Sequence, residues 1–170
     1  MPTTPDTTVT IDLQPGYAIR QLHQISVGLF LQETQALGVT PVQYAALQTV
    51  ANHPGVDQRT LASAIAQDTS TTAGVVDRLE ARGLLQRTRS AHDKRVRLLV
   101  LTPAGLSLLE TLVPAMLRAQ AHILAPLDAN EQRIFMALVG KLVQANNGHS
   151  RAPRAKTGAS GQKQGNVVDC

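Results

Sequence analysis

The chain has 170 residues, 43% of them hydrophobic, and a formal net charge of +4, which bounds it to one compact domain with a sizeable core. The aromatic residues are Tyr17, Phe30, Tyr44 and Phe135, so that core must be aliphatic. There is no apolar run of about 18 residues to span a membrane and no secretory pattern at Met1, and the single cysteine, Cys170, excludes an internal disulfide; a soluble, cytoplasmic protein is expected.

Residues 1–13, rich in Thr and Pro, read as a flexible arm. A first helix is predicted from Pro15 to about Ala36, with Ala18, Leu22, Ile25 and Leu29 on its apolar stripe, Ile19, Ser26 and Phe30 beside it, and Gly38 as its stop. Thr40-Pro41 pairs an N-cap with a proline at the first helical position, so a second helix runs to about Asn52, carrying Tyr44, Leu47, Val50 and Ala51 inward. His53-Pro54-Gly55 ends it, Val56 is placed for a short strand, and Asp57 caps the next helix.

The stretch from Asp57 to Leu101 then reads as helix, turn, helix and hairpin. Leu61, Ala62 and Ile65 mark one helical stripe; Thr72, Val75, Val76 and Leu79 mark a second, on a helix predicted over 69–82 with Asp68 or Thr69 as cap and Gly83 just past its end. At about 100° per residue, Ser70, Gly74, Asp77 and Ala81 fall opposite that stripe, flanked by Thr71, Ala73 and Arg78. Small hydroxyl and methyl groups there suit close approach to base edges in a major groove, while longer side chains reach phosphates. Gly74 has a second explanation, relief of crowding against the preceding helix.

Residues 84–89 and 96–101 are strand-like, and 90–94 have turn composition, which makes a hairpin with a charged tip. Asp93 and Arg95 are two residues apart, so on a strand edge they point the same way, and the carboxylate can hold the guanidinium toward a narrow minor groove. The plainer alternative is a solvated hairpin in which the two charges offset each other. Charge distribution bears on this: residues 78–97 hold seven basic and two acidic residues, a net +5, while the remainder of residues 1–148 holds five basic and nine acidic ones, a net −4. That is the footprint of a phosphate-binding surface.

Thr102-Pro103 repeats the cap-plus-proline signal and opens a long helix with Leu106, Leu109, Val113, Met116, Gln120, Ile123 and Leu127 on a coiled-coil-like seam, Leu108, Leu112 and Ala115 beside it, and Pro114 set to bend it. Two apolar stripes exceed what one small domain needs and point to pairing with another chain. Asp128 and Glu131 have capping-box spacing and start a last helix with Ile134, Phe135, Leu138, Val139 and Leu142 inward, ending near Asn147-Gly148. Residues 149–170 change composition to a basic tail expected to be disordered, with Arg151, Arg154, Lys156 and Lys163 against Asp169.

The run GVTPVQYAALQTVANHPGVDQRTLASAIAQDTSTTAGVVDRLEARGLLQRTRSAHDKRVRLLVLTPAG resembles the winged-helix domain of MarR-type transcriptional regulators, above all in DRLEARGLLQR, the D-x-R of Asp93 and Arg95, and LTPAG. With its flanking helices the resemblance covers roughly residues 14–146, and Ala73 with Gly74 departs from the larger polar or basic residue often found there. It implies a mainly helical fold with a small β-hairpin wing: a 14–148 domain made of a winged helix-turn-helix over 40–101 and dimerisation helices over 14–37 and 102–147. It also implies a homodimer on a pseudo-palindromic DNA duplex, a repressor released by a small aromatic or phenolic acid. Thr69, Ser70, Thr71, Ala73, Gly74, Asp77, Arg78, Arg89, Lys94 and Arg95 are then the candidate DNA contacts, with Asp93 orienting the wing. The family's effector pocket lies between the first, second and fifth helices, where Tyr17, Arg20, His23, Ser26 and Tyr44 can supply a cation, hydrogen bonds and stacking; a solvated or interface role for the His and Arg is the alternative.

No phosphate-binding loop, nucleophile elbow or H-E-x-x-H motif is present, and His23, His53, His92, His122 and His149 are scattered, so neither an enzyme, a metal site nor a cofactor is expected. The competing expectation is a winged-helix protein-interaction module whose basic wing docks on an acidic protein surface without specific DNA binding.

Overall fold

A computed structural model describes residues 10–89 and 96–150. The helices begin where side chains satisfy the free backbone donors of a first turn. Helix α1 (Pro15–Thr34) starts on proline and ends through a short 3-10 turn, Gln35–Leu37, at Gly38, whose φ of +58° suits a residue without a Cβ. Helix α2 (Pro41–Asn52) opens on a capping box: the Thr40 hydroxyl accepts from Gln43 N–H at 3.3 Å, and the Gln43 side chain accepts from Thr40 N–H at 3.1 Å.

Strand β1 (Val56–Asp57) leads into helix α3 (Gln58–Ala64), where the Asp57 carboxylate accepts from the N–H groups of Arg59 and Thr60 and from the Thr60 hydroxyl. Asp68 does the same for helix α4 (Thr69–Ala81), accepting from both the N–H and the hydroxyl of Thr71 at 2.7 Å. The turn between α3 and α4 passes through Ala66 at φ +54°, a left-handed conformation in a residue that carries a Cβ and rarely adopts it. Sequence reasoning did not anticipate it, because alanine carries no turn signature.

Strands β2 (Leu85–Arg89) and β3 (Arg97–Leu101) pair antiparallel, Leu85 opposite Leu101 and Arg89 opposite Arg97, and β1 joins the far side of β3 with Val56 opposite Leu99. The sheet order is β1-β3-β2. Helix α5 (Pro103–Leu124) runs through Pro114 as one continuous helix, and α6 (Ala129–Asn146) begins at the expected capping box between Asp128 and Glu131.

The core is aliphatic, as composition requires: Leu47, Val50, Leu61, Val75, Val76, Leu79, Leu85, Leu99, Leu109 and Leu112 close around the junction of α2, α3, α4, the sheet and the first half of α5. The inward stripe of α5 is Gly105, Leu109, Leu112, Ala115 and Ala119; of the expected seam only Leu109 is buried, and Leu106 is half exposed. Helix α6 buries no residue. Ile134, Leu138 and Leu142, expected inward, are 50–56% exposed, because a single chain offers this helix nothing to pack on. Ile19 and Ile25 of α1 are likewise uncovered.

At Gly105 the fold has no room for a side chain: a Cβ would lie 1.9 Å from the Leu84 carbonyl oxygen. Gly105→Ala should therefore lower stability by about 1–3 kcal/mol, read from the urea midpoint. The capping hydrogen bonds also set a pH response. The Thr60 hydroxyl holds the Asp57 carboxyl below its ordinary range, and the Thr71 N–H does so for Asp68. Both groups stabilise the fold above their unfolded value of 3.8 and lose that contribution as pH falls through the lower folded values. Replacing both with Asn, a neutral N-cap, should lower neutral-pH stability modestly and flatten the acid limb of a thermal melt series, since the charge-dependent contribution is then absent at every pH.

Candidate nucleic-acid interface

Helix α4 is held from one side and presents the other. Thr72, Val75, Val76 and Leu79 are buried, and the Thr72 hydroxyl donates to the Asp68 carbonyl at 2.8 Å, so that its polar atom is satisfied inside. Opposite lie Thr69, Ser70, Thr71, Asp77 and Arg78, all exposed, with Ala73 and Gly74 half-buried between them. One face of α4 therefore brings together seven of the ten candidate contacts. Arg89 stands exposed at the end of β2, across the strand pair from Arg97, while Asp93, Lys94 and Arg95 lie outside the described residues.

The basic cluster counted along the chain is not uniform in space. Arg87 reaches back from β2 to α4, donating to Asp77 at 2.6 Å and, through its other terminal nitrogen, to Glu80; its backbone N–H donates to the second Glu80 oxygen at 3.2 Å. Partial burial pulls the Arg87 pKa down, but the hydrogen bonds and charges of Asp77 and Glu80 outweigh it and leave the guanidinium more strongly protonated than usual. Arg82 turns the opposite way and donates to the carbonyls of Gly38 at 2.7 Å and Leu37 at 3.3 Å. Two of the five described arginines in the cluster thus brace the fold, and Arg78, Arg89 and Arg97 remain on the outward surface.

Asp77 is accordingly a carboxylate on the outward face whose charge is met from behind by Arg87, not one aimed at a ligand alone. The brace was visible in principle: Asp77 and Glu80 are three apart on one flank of α4, and strand alternation puts Arg87 on the same side of β2 as Leu85.

The packing explanation for Gly74 does not hold, because a Cβ built there meets nothing nearer than a terminal nitrogen of Arg78 at 3.7 Å. That is ordinary contact with the flexible end of a side chain.

The candidate effector residues do not converge within one chain. Tyr17 and Arg20 line a shallow groove of about 480 Å³ together with Gln21, Gln24 and Ile25, all on α1. His23 is exposed and Ser26 half-buried on the same helix. Tyr44 belongs to α2, where its ring packs 6.0 Å from that of Phe30 and its hydroxyl donates to Gln48 at 3.3 Å; burial raises its pKa. At ~1.5 Å per residue Tyr17 lies roughly 20 Å along α1 from Phe30, so a pocket using both tyrosines needs another chain to close it. A second groove of about 380 Å³ runs between α2 and α5, lined by Gln48, Leu106, Leu109, Glu110, Val113 and Pro114. Among the described residues no helix is long and apolar enough to cross a membrane.

Comparison with known proteins places this geometry. The sequence model of the MarR family matches residues 37–96. The transcriptional regulator HosA of Escherichia coli is 35% identical over 127 residues, which cover 75% of this chain and 93% of that one. Among solved structures, the PcaV transcriptional regulator of Streptomyces coelicolor in complex with its natural ligand is 36% identical with a TM-score of 0.74, covering 82% of this chain and 98% of the other. BpsR of Bordetella bronchiseptica, whose DNA binding is regulated by 6-hydroxynicotinic acid, is 27% identical with a TM-score of 0.76, covering 79% and 96%.

A double-mutant cycle of Arg87→Met and Asp77→Asn on thermal stability should return a coupling of about 0.5–1 kcal/mol that shrinks as salt is raised. Zero coupling at low salt would remove the brace from the account of α4.

Proposed function

Because the chain belongs to the MarR family of transcriptional regulators, we propose that it acts as a homodimeric, sequence-specific DNA-binding repressor released by a small aromatic acid. The observation that carries this reading is the outward face of α4, where exposed hydroxyls and Arg78 surround a backbone left bare at Gly74, with Arg89 and Arg97 beside it on the wing strands. Such a face has short donors for base edges at its N-terminal end and cations for phosphates further along.

The dimer is supported by the uncovered apolar surface of α1, α5 and α6, where Ile19, Ile25, Leu117, Ile134, Leu138 and Leu142 are all exposed. Large apolar side chains left exposed in this number on three helices mark an interface between chains. Two α4 helices related by a two-fold axis would then read half-sites about one helical turn apart. Asp93, Lys94 and Arg95 are assigned to the wing tip, with Lys94 and Arg95 toward the adjoining minor groove. A dimer seated across a promoter blocks polymerase, and this favours repression as the default.

For the effector, a partner's α1 would bring Tyr17, Arg20 and His23 toward the α2 side that carries Tyr44, with Ser26 nearby. A guanidinium and a tyrosine stack suit an aromatic carboxylate, and the ligand of BpsR is of that class. Binding that favours one separation of the two α4 helices over another shifts the dimer away from its DNA-competent state. Residues 1–13 and 149–170 are assigned as segments flanking the domain, and the basic charges of 151–163 add sequence-independent affinity.

Leu138→Glu should give a monomer by sedimentation and abolish a gel shift on the chain's own upstream DNA, while Arg95→Ala should weaken that shift across sequences and leave the melting temperature in place. A panel of hydroxybenzoic and hydroxynicotinic acids should contain a compound that raises the melting temperature and dissociates the complex. A wild type that stays monomeric and ignores every duplex offered would refute the regulator.

A further inference from the structure

Gly74 occupies the middle of α4, where glycine is among the poorest helix formers. A fold keeps a glycine in such a place for a positive φ, for backbone contact, or for a bend. Gly74 has no positive φ, its Cβ position meets only the flexible end of Arg78 at 3.7 Å, and α4 runs unbroken from Thr69 to Ala81. Gly105 shows what the packing case looks like, with a Cβ position 1.9 Å from a carbonyl oxygen.

Three other helical glycines, Gly16 in the first turn of α1, Gly28 and Gly140, have nothing within 4 Å of their Cβ positions. One turn from Gly28 and Gly140 stand exposed apolar residues, Ile25 and Leu31 on α1 and Met136 and Val143 on α6, alongside Gln24, Gln32 and Gln144, so these surfaces are of mixed and largely apolar character. Around Gly74 the neighbours are Ser70, Thr71, Asp77 and Arg78. That is a polar surface with a recess one carbon deep at its centre, the shape that suits a small group carried on a polar partner.

We propose that Gly74 sets the depth of α4 in the major groove and is a specificity-determining residue, its bare backbone taking the edge of a base pair, with a thymine methyl as the group that fills the space a Cβ would occupy. The inference rests on the regulator reading above. Phosphate is the wrong class for this position, because Arg78 already lies against it and would meet an anion first. Ser70 and Asp77, one turn to either side, flank the same base pairs, and Arg87 holds the Asp77 carboxylate so that it does not repel them.

The test begins with selection of bound sequences from a random duplex pool by the wild-type protein. Gly74→Ala and Gly74→Ser are then measured by fluorescence anisotropy on the selected duplex and on a scrambled one, across a salt series. Gly74→Ala should melt a few degrees higher than wild type, lose at least tenfold in affinity for the selected duplex, keep its affinity for the scrambled one within twofold, and keep the same salt slope. Selection repeated with the Ala variant should lose the preference at one position of each half-site. Equal discrimination by Gly74→Ala would overturn the role of Gly74 while leaving the regulator intact, and so would a lower melting temperature, which would mean the glycine serves packing. A wild type that enriches no sequence would overturn the regulator and this proposal together.

Discussion

The contact on which the architecture turns is made by backbone. Where α4 gives way to β2, the Leu84 carbonyl accepts from Thr102 N–H at 3.1 Å, the Gly83 carbonyl accepts from the Thr102 hydroxyl at 2.6 Å, and the first turn of α5 lies directly against Leu84 through Gly105. The Thr102 hydroxyl then accepts from Gly105 N–H, so one side chain both caps α5 and ties it to the end of α4. Nothing compressible separates the two helices. The outward face of α4 is therefore carried on the same rigid junction as the long helix, and its orientation follows that of α5 rather than of a flexible linker.

The two ends of the molecule differ in how complete they are. The winged-helix end closes its own core, with Leu47, Leu61, Val76, Leu79, Leu99 and Leu112 fully buried by one chain. The helical end does not: α1 contributes Phe30 and Thr34 to the interior only near its C-terminus, and α6 contributes no buried residue. A helix of 18 residues with exposed Ile134, Met136, Leu138, Leu142 and Val143 has little reason to persist in water by propensity alone. Its exposed stripe is the surface that the proposed dimer would cover, and an ion pair between Glu33 and Arg118 at 2.8 Å links α1 to α5.

What the sequence reveals here is what local chemistry decides. Thr40, Asp57, Asp68, Thr102 and Asp128 each cap the helix predicted for them, Gly38 and Gly83 take positive φ where helix ends were expected, and the strands pair within a residue of their predicted limits. These features depend on a few neighbours in the chain. The Arg87 brace and the reach of Arg82 depend on elements that meet only after folding, so counting charges along residues 78–97 overstated the cations left for a ligand. Which stripe of α5 faces inward was not legible for a related reason: both stripes are apolar, and periodicity alone does not say which one faces the chain's own core. Ala66 gave no signal at all, since its strained turn is imposed by the helices on either side.

The Arg82 guanidinium spans from the last turn of α4 to the carbonyls of Leu37 and Gly38, at the corner where α1 hands over to α2. A slip of α1 by one residue's rise, about 1.5 Å, would have to be followed by the Arg82 side chain or would break this 2.7 Å hydrogen bond. The corner and the tail of α4 are thus geared together like a crank and its rod. On the proposed reading, a displacement of the first helix would be felt at the tail of α4, and through it in the distance between the two α4 helices of a dimer.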